Sequence, residues 1–450
     1  MTSRVLVVIL VALCLLQSVN VSGITIEQVH ISLGGGLDVN VTDMFVNFVT
    51  MVQPAHSSIA FGTNQHALKN VAEVTVIKFV DGGSKSTVRY MHEAHLTPLM
   101  FNATYFYQIN VADEKGNNDT SDVFRFNTLS PSVGYTQPLK LALFGDYGLT
   151  NGQSHAMLDA ASAAGDIDVV LHCGDIAYNL DVNDGQTGDD FMNREQSWAT
   201  RTPWMVAPGN HESAYNFSHY NYRFHMPNDV SGSPINHYSS FNIGSVHVIS
   251  FNAEAYFFDD DFSMDYIRAQ YEWLENDIAV ANKNRHIRPW IVAFAHRPMY
   301  CTASTNDDSD CTINTYRIRD GVNWKGGQRM YGLERLFYTQ GVDVYLSGHE
   351  HSYERLYPVY RQQLLSQSYD PLIAPFYLIA GAAGCDEYID TWDEPTIYPY
   401  SASRSDSYGY GVLTVHNTTH ALWQQIHDAD GAVLDSVWLV KPQTQSIAEY

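Results

Sequence analysis

Leu139-Lys140-Leu141-Ala142-Leu143-Phe144-Gly145-Asp146-Tyr147-Gly148 is the stretch on which the reading of the fold turns. A short apolar run closed by glycine reads as a buried strand, and this one delivers an acid at its carboxyl end. Four more runs share that grammar. Ile167 to Leu171 leads into Gly174-Asp175-Ile176-Ala177-Tyr178, and Trp204 to Ala207 into Gly209-Asn210-His211-Glu212. Trp290 to Phe294 leads into His296, and Val342 to Leu346 into Gly348-His349-Glu350-His351. In α/β sheets ligands bind beyond the carboxyl ends of strands, so these five tips can converge on one site. Gly145, Gly174, Gly209 and Gly348 let the chain turn off a buried strand beside a ligand. A single Gly-Asp after a strand is an ordinary turn; five such tips in one domain carry the argument.

Outward from this core, residues 139–440 read as one α/β domain. Tyr271, Leu274, Ile278 and Ala281 share one helical face, and Met330, Leu333, Leu336 and Phe337 another. Gly411 to Val415, Ala421 to Ile426 and Ser436 to Val440 return to strand and complete the domain, leaving a tail at 441–450. Upstream, Ser130-Pro131-Ser132-Val133-Gly134 marks a linker, taken as 131–138. Residues 24–130 carry about seven short β-rich runs separated by Gly, Asn and Pro turns: a β-sandwich. The expected architecture is therefore multi-domain α+β, an N-terminal β-sandwich followed by an α/β sandwich. His92-Glu93-Ala94-His95 lacks the spacing of a zinc-binding helix and reads as strand and surface histidines.

Arg4, the apolar run Val5 to Leu16 and the small residues Val21-Ser22-Gly23 predict a secretory signal over 1–23. A retained signal anchor is the alternative, but the run is short for a membrane span, which favours secretion. The chain is 450 residues long with a net charge of −24. That charge repels nucleic acid and anionic lipid, so neither is an expected partner. A phosphate substrate would be repelled as well, unless bound cations reverse the field locally. Cys301 and Cys311, close together in a polar segment, predict a short-loop disulfide in an oxidising compartment. Cys173 and Cys385 lie in apolar or Gly-rich surroundings and are expected to be buried and unpaired. Sequons at Asn40, Asn102, Asn118, Asn216 and Asn417 agree with secretion, to the extracellular space or to lysosomes by the same route.

The donor types make chemical sense together. Three carboxylate or phenolate oxygens with one histidine form a hard, anionic set suited to Fe(III). Two histidines, an asparagine carbonyl and a shared carboxylate suit a softer divalent ion. A carboxylate spans two ions about 3.5–4 Å apart.

Asp-x-Gly, Gly-Asp-x-x-Tyr, Gly-Asn-His-Glu, the isolated His296 and Gly-His-x-His, in this order, resemble the purple acid phosphatase family of metallophosphoesterases. Gln28-Val29-His30-Ile31-Ser32 is similar to the start of that family's fibronectin III-like domain. His296-Arg297-Pro298-Met299-Tyr300, Ser352-Tyr353-Glu354-Arg355 and Gly381-Ala382-Ala383-Gly384-Cys385 extend the likeness. Tyr178 is its most specific mark, because related Ser/Thr phosphatases continue with an Asp-Arg-Gly pattern that Asn179-Leu180-Asp181 does not supply. The resemblance implies Fe(III) on Asp146, Asp175, Tyr178 and His351. It implies a divalent ion (Fe, Zn or Mn) on Asp175, Asn210, His296 and His349, with Asp175 as the bridge. His211 would hold the phosphate and serve as general acid, with a hydroxide generated at the metals as nucleophile.

Two departures stand out. Ala293 replaces the valine frequent in the family three residues before the His296 position. The segment Cys301 to Tyr316 lacks the histidines that many members place there to hold phosphate, leaving Asp307, Asp308 or Arg317 as candidates. His225, His237 and His247 read as structural, and Glu212 as either a support for a ligand or a solvated acid. The expected function is a secreted acid phosphatase acting on phosphate monoesters. The rivals are a phosphodiesterase or pyrophosphatase on the same metals, and a non-catalytic secreted binding protein.

Overall fold

A computed structural model describes residues 23–34, 43–227, 236–258, 261–303, 311, 315–323, 327–392 and 398–442. The leader before residue 23, the sequon at Asn40, Asp307, Asp308 and the tail from 443 lie outside the described residues. Among those described, no helix is long and apolar enough to cross a membrane.

The first domain is built from eight strands: Glu27–Leu33, Met44–Thr50, Pro54–Gly62, Asn70–Val80, Val88–Leu96, Thr104–Asp113, Asn118–Thr120 and Phe124–Asn127. Asn118–Thr120, too polar to announce itself, is the one the sequence pattern passed over. The long strand Asn70–Val80 is shared between two groups of strands. Its residues 70–73 pair with Pro54–Gly62, whereas 74–80 pair with Val88–Leu96. Alternation of buried and solvated positions along Thr104–Asp113 shows one face turned to the core.

The second domain holds two larger sheets. One runs in the order Trp204–Val206, Val169–His172, Leu139–Phe144, Gly409–Val415, His420–His427, Val433–Val440, with the first three strands parallel. The other runs Ser239–Ile243, Val246–Ser250, Trp290–Phe294, Val344–Ser347, Phe376–Ala380, Tyr353–Leu356, Ser401–Ser405, with a parallel centre. Apart from Lys140, the parallel strands are buried along their length, which is why they read as apolar runs. The sheets meet at the carboxyl ends of those strands. There the Gly145 N–H donates to the Ala380 carbonyl at 2.8 Å, and His296 Nδ1 lies 2.8 Å from the Cys173 carbonyl.

Helix Met264–Lys283 buries Leu274, Ile278 and Ala281. Helix Leu333–Gln340 buries Leu333, Leu336 and Phe337, but Met330 belongs to the preceding strand Arg329–Tyr331 and not to this helical face. Gly332 separates the two elements, and a helical spacing of apolar residues carried across that glycine was misleading.

The two domains share a buried polar seam. Arg89 clamps Asp189 through Nε at 2.8 Å and Nη2 at 2.6 Å, and Gln28 Nε2 donates to the same carboxylate at 2.9 Å. Asp189 lies on helix Gln186–Ala199, which follows the loop carrying Tyr178. The first domain therefore braces the second behind one of its strand tips.

Candidate metal centre

Each strand tip turns sharply, and the turn aims its side chain inward. Asp146, Asp175, Tyr178 and His349 all occupy the left-handed region, with φ of 57°, 51°, 49° and 69°. Non-glycine residues held there are strained, and such strain persists where the surroundings dictate it. Gly174, at φ 87°, has no such cost, and a Cβ there would meet Gly209 N at 2.7 Å. A Cβ on Gly348 would overlap the Asp146 carboxylate.

The tips bring Asp146, Asp175, Tyr178, Asn210, His296, His349 and His351 together as two groups of donor atoms. In the first, Tyr178 Oη lies 3.1 Å from Asp146 Oδ1 and 3.0 Å from His351 Nε2, with His351 Nε2 3.5 Å from Asp146 Oδ1. In the second, His296 Nε2 lies 3.0 Å from Asn210 Oδ1 and 3.1 Å from Asp175 Oδ2. His349 joins this group, since Asp175, His296 and His349 each offer an atom within 4.8 Å of the others. Ligands about 2.0–2.2 Å from a common ion stand about 2.8–3.6 Å apart, for angles between octahedral and tetrahedral. Asp146, Tyr178 and His351 in the first group, and His296 with Asn210 and Asp175 in the second, have that spacing.

The proton inventory points the same way. His296 Nδ1 is engaged by the Cys173 carbonyl, and His351 Nδ1 by the Tyr388 carbonyl at 2.9 Å. Carbonyls only accept, so each Nδ1 carries the hydrogen and each neutral ring turns a bare Nε2 lone pair into the cluster. His296 Nε2 thus faces an amide oxygen and a carboxylate, three acceptors that only a cation or an added proton reconciles. A backbone carbonyl fixing the tautomer is also the usual support of a metal-binding imidazole. The residues fit two cations.

Electrostatics report the same negative well. For His296 burial opposes the charged ring, yet Asp175 and Asp146 outweigh it and push the ring up to about 10. Burial opposes the charged form of His351 too, but Asp146 raises it well above the ordinary range. Burial also works against ionised Asp175, and His296 and His211 overcome it to hold the carboxyl below its usual range. Asp146 is raised chiefly by burial. The Tyr178 phenol is raised by burial and then by Asp146 and Asp175, so it would ionise only against a cation.

Glu212 is buried, and its carboxylate accepts the backbone N–H groups of Asp175 at 2.9 Å, Ile176 at 2.8 Å and Gly209 at 2.8 Å. It ties two strand tips together, so it supports ligands and is not a solvated acid. His211 stands at the edge of the cluster. Its backbone N–H donates to Asp175 Oδ1 at 2.9 Å, its Nδ1 meets Asn179 Oδ1, and its Nε2 lies 3.8 Å from Asp175 Oδ2. Asn179, noted in the sequence only for not matching another family, therefore orients the ring. Asp390 Oδ2, which accepts the His351 N–H at 2.5 Å, and Glu387 had no local signature at all.

Arg317 is not drawn into this cluster; it reaches the carbonyls of Tyr256 and Phe257 at 3.3 and 3.4 Å. The arginine that touches the site is Arg297, which binds Glu254 through Nε and meets His349 Nε2 through Nη1. Cys301 and Cys311 form a disulfide, so their grouping with Glu350 is not an ion site. Cys173 and Cys385 are free and buried. His225 pairs with Glu93 and stacks on Phe45, His237 sits among Phe217, Phe262 and Tyr266, and His247 pairs with Asp277. Asn102, Asn118 and Asn216 are exposed, while Asn417 is half-buried.

Two facing sheets whose strand tips gather carboxylates, a phenol, an amide and imidazoles around two positions define a binuclear metallophosphoesterase. Comparison with known proteins makes this particular. Residues 26–128 match the family model described as purple acid phosphatase, N-terminal domain, and 139–353 match the calcineurin-like phosphoesterase model. Residues 374–436 match the model described as iron/zinc purple acid phosphatase-like protein C. Acid phosphatase type 7 of Homo sapiens is 39% identical over 424 residues, spanning 92% of this chain and 91% of that one. The protein of the same name from Danio rerio is 42% identical over 370 residues, spanning 81% and 80%. The structure of purple acid phosphatase PPD1 isolated from yellow lupin (Lupinus luteus) seeds superposes with a TM-score of 0.74 at 18% identity. That superposition covers 94% of this chain and 78% of the lupin chain, and it shows the shared fold. The chain belongs to the purple acid phosphatase family.

Proposed function

We propose that this protein is an acid phosphatase that hydrolyses small-molecule phosphate monoesters at an iron centre paired with a divalent ion. The observation that carries the reading is the double cluster of acceptor atoms, with His296 and His351 both committed through Nδ1 to backbone carbonyls. Asp146, Tyr178 and His351 form the harder, anionic half and would hold Fe(III). Asn210, His296 and His349 form the softer half and would hold Fe, Zn or Mn. Asp175, reaching His296 through Oδ2 while Oδ1 accepts the His211 N–H, would be the acid both halves share.

When bound, such ions supply Lewis-acid charge for the phosphate oxygens and lower the pKa of water. The remaining work falls to the chain. His211, oriented at Nδ1 by Asn179, presents Nε2 at the edge of the cluster, where it holds a proton for the departing oxygen. A protonated imidazole is most abundant in acid, which favours an acid optimum. Glu212 keeps the Asp175 and Gly209 turns fixed against each other. The leader over 1–23 and the sequons direct the chain into the secretory pathway.

The test is turnover of p-nitrophenyl phosphate by wild type and by Asp175→Asn, with iron and zinc measured on both. Activity in the wild type and loss of both ions and turnover in the variant support the reading. A wild type that hydrolyses only diesters or pyrophosphate, or nothing, refutes it.

A further inference from the structure

Glu387 faces the proposed proton donor from the rim. Its Oε1 lies 3.6 Å from His211 Nε2, and its Oε2 lies 3.9 Å from His351 Nε2. The side chain is 45% exposed, and among the described residues no lysine or arginine pairs with it. The chain on either side is pinned. Asn151 donates through Nδ2 to the Cys385 carbonyl and through its backbone N–H to Asp386 Oδ1, both at 3.0 Å, while His351 Nδ1 holds the Tyr388 carbonyl. The loop backbone therefore keeps this carboxylate at the mouth of the site, facing His211 and His351.

Besides facing the His211 and His351 rings, an anion there repels a phosphoryl group and complements a cationic part of the substrate. His211 Nε2 is the atom that gives its proton to the leaving oxygen. A group 3.6 Å from that atom borders the leaving group. The chain's net charge of −24 adds to the same field.

We infer that Glu387 is a specificity-determining residue that selects phosphate monoesters whose leaving group carries a cationic centre, such as an aminoalkyl or quaternary ammonium alcohol. The inference rests on the phosphatase reading above. An ammonium about 4 Å from this carboxylate gains roughly tenfold in kcat/KM in a partly solvated setting.

The test compares choline phosphate with its neutral isostere, in which carbon replaces the quaternary nitrogen, on wild type and on Glu387→Gln. The two alcohols differ in intrinsic reactivity, but that difference is common to both enzymes and cancels when their selectivity ratios are compared. The ratio of kcat/KM, cationic over neutral, is expected to fall roughly tenfold in E387Q, and further in E387K. General damage to the site would lower both substrates and leave the ratio alone. An unchanged or increased ratio in E387Q overturns the inference while leaving the phosphatase reading intact. If wild type turns over neither ester nor p-nitrophenyl phosphate, the phosphatase reading fails, and this inference falls with it.

Discussion

Replacing Glu212 with glutamine tests whether the strand tips are held for the sake of bound ions. The carboxylate accepts three backbone N–H groups, two at Oε2 and one at Oε1. A glutamine keeps at most the two bonds to Asp175 and Gly209 and turns its NH₂ towards the Ile176 N–H, leaving one buried donor facing another. An unsatisfied buried donor costs about 1–3 kcal/mol, and the lost charge assistance adds about 1 kcal/mol. In the ion-free protein much of this is already forfeited. Burial and then Asp175 push Glu212 up to about 8, so without ions the charged carboxylate is held at a cost that cuts its advantage over an amide. Cations beside Asp175 reverse that field and restore the full carboxylate, so the cost of glutamine falls on the ion-bound state. Denaturation of metal-free E212Q should therefore differ from wild type by no more than about 1 kcal/mol, whereas zinc affinity, measured by chelator competition, should drop about 10–100-fold. Equal zinc affinity in the two proteins would refute the reasoning, as would a metal-free stability loss that accounts for the whole effect.

Three more outcomes are expected. His211→Ala should keep both ions while slowing turnover about 10²–10⁴-fold; a parallel loss of metal would show that the ring is a structural support and not a proton donor. Arg89→Ala removes one of two buried arginines on Asp189, leaving Arg223 at 2.9 Å, and should cost about 2–3 kcal/mol in chemical denaturation; a change below about 1 kcal/mol would mean the seam between domains is weak. Burial pushes Asp428 up to about 7, against the Ser154 hydroxyl bond at 2.7 Å. Its folded-state pKa lies above the unfolded one, so its contribution is fully present below about pH 4 and is lost as pH rises to about 7. That contribution is about 2–4 kcal/mol across the window, and the stability profile of Asp428→Asn should be flatter than that of wild type by this amount.

The centre was legible because each ligand sits within a few residues of its own apolar strand. Asp146, Asp175, Asn210, His296 and His349 are all reached by reading off a strand end. What the pattern hid is non-local. That the five tips belong to two facing sheets, and not one, depends on Leu139–Phe144 pairing with Gly409–Val415, far along the chain. The role of Glu212 stayed open because burial, not residue type, separates a ligand support from a solvated acid. Glu387 and Asp390 lie on a loop with no strand to announce them and reach the site only through folding. Met330 shows the opposite failure, an apolar residue at helical spacing that a glycine places in a different element.

Metal analysis with visible absorption on the purified protein tests the central claim most directly. Two ions per chain, one of them iron, with a visible band that disappears in Tyr178→Phe while iron stays bound by Asp146 and His351, is the predicted result. A protein that binds fewer than two ions, or whose band is indifferent to Tyr178, would contradict it.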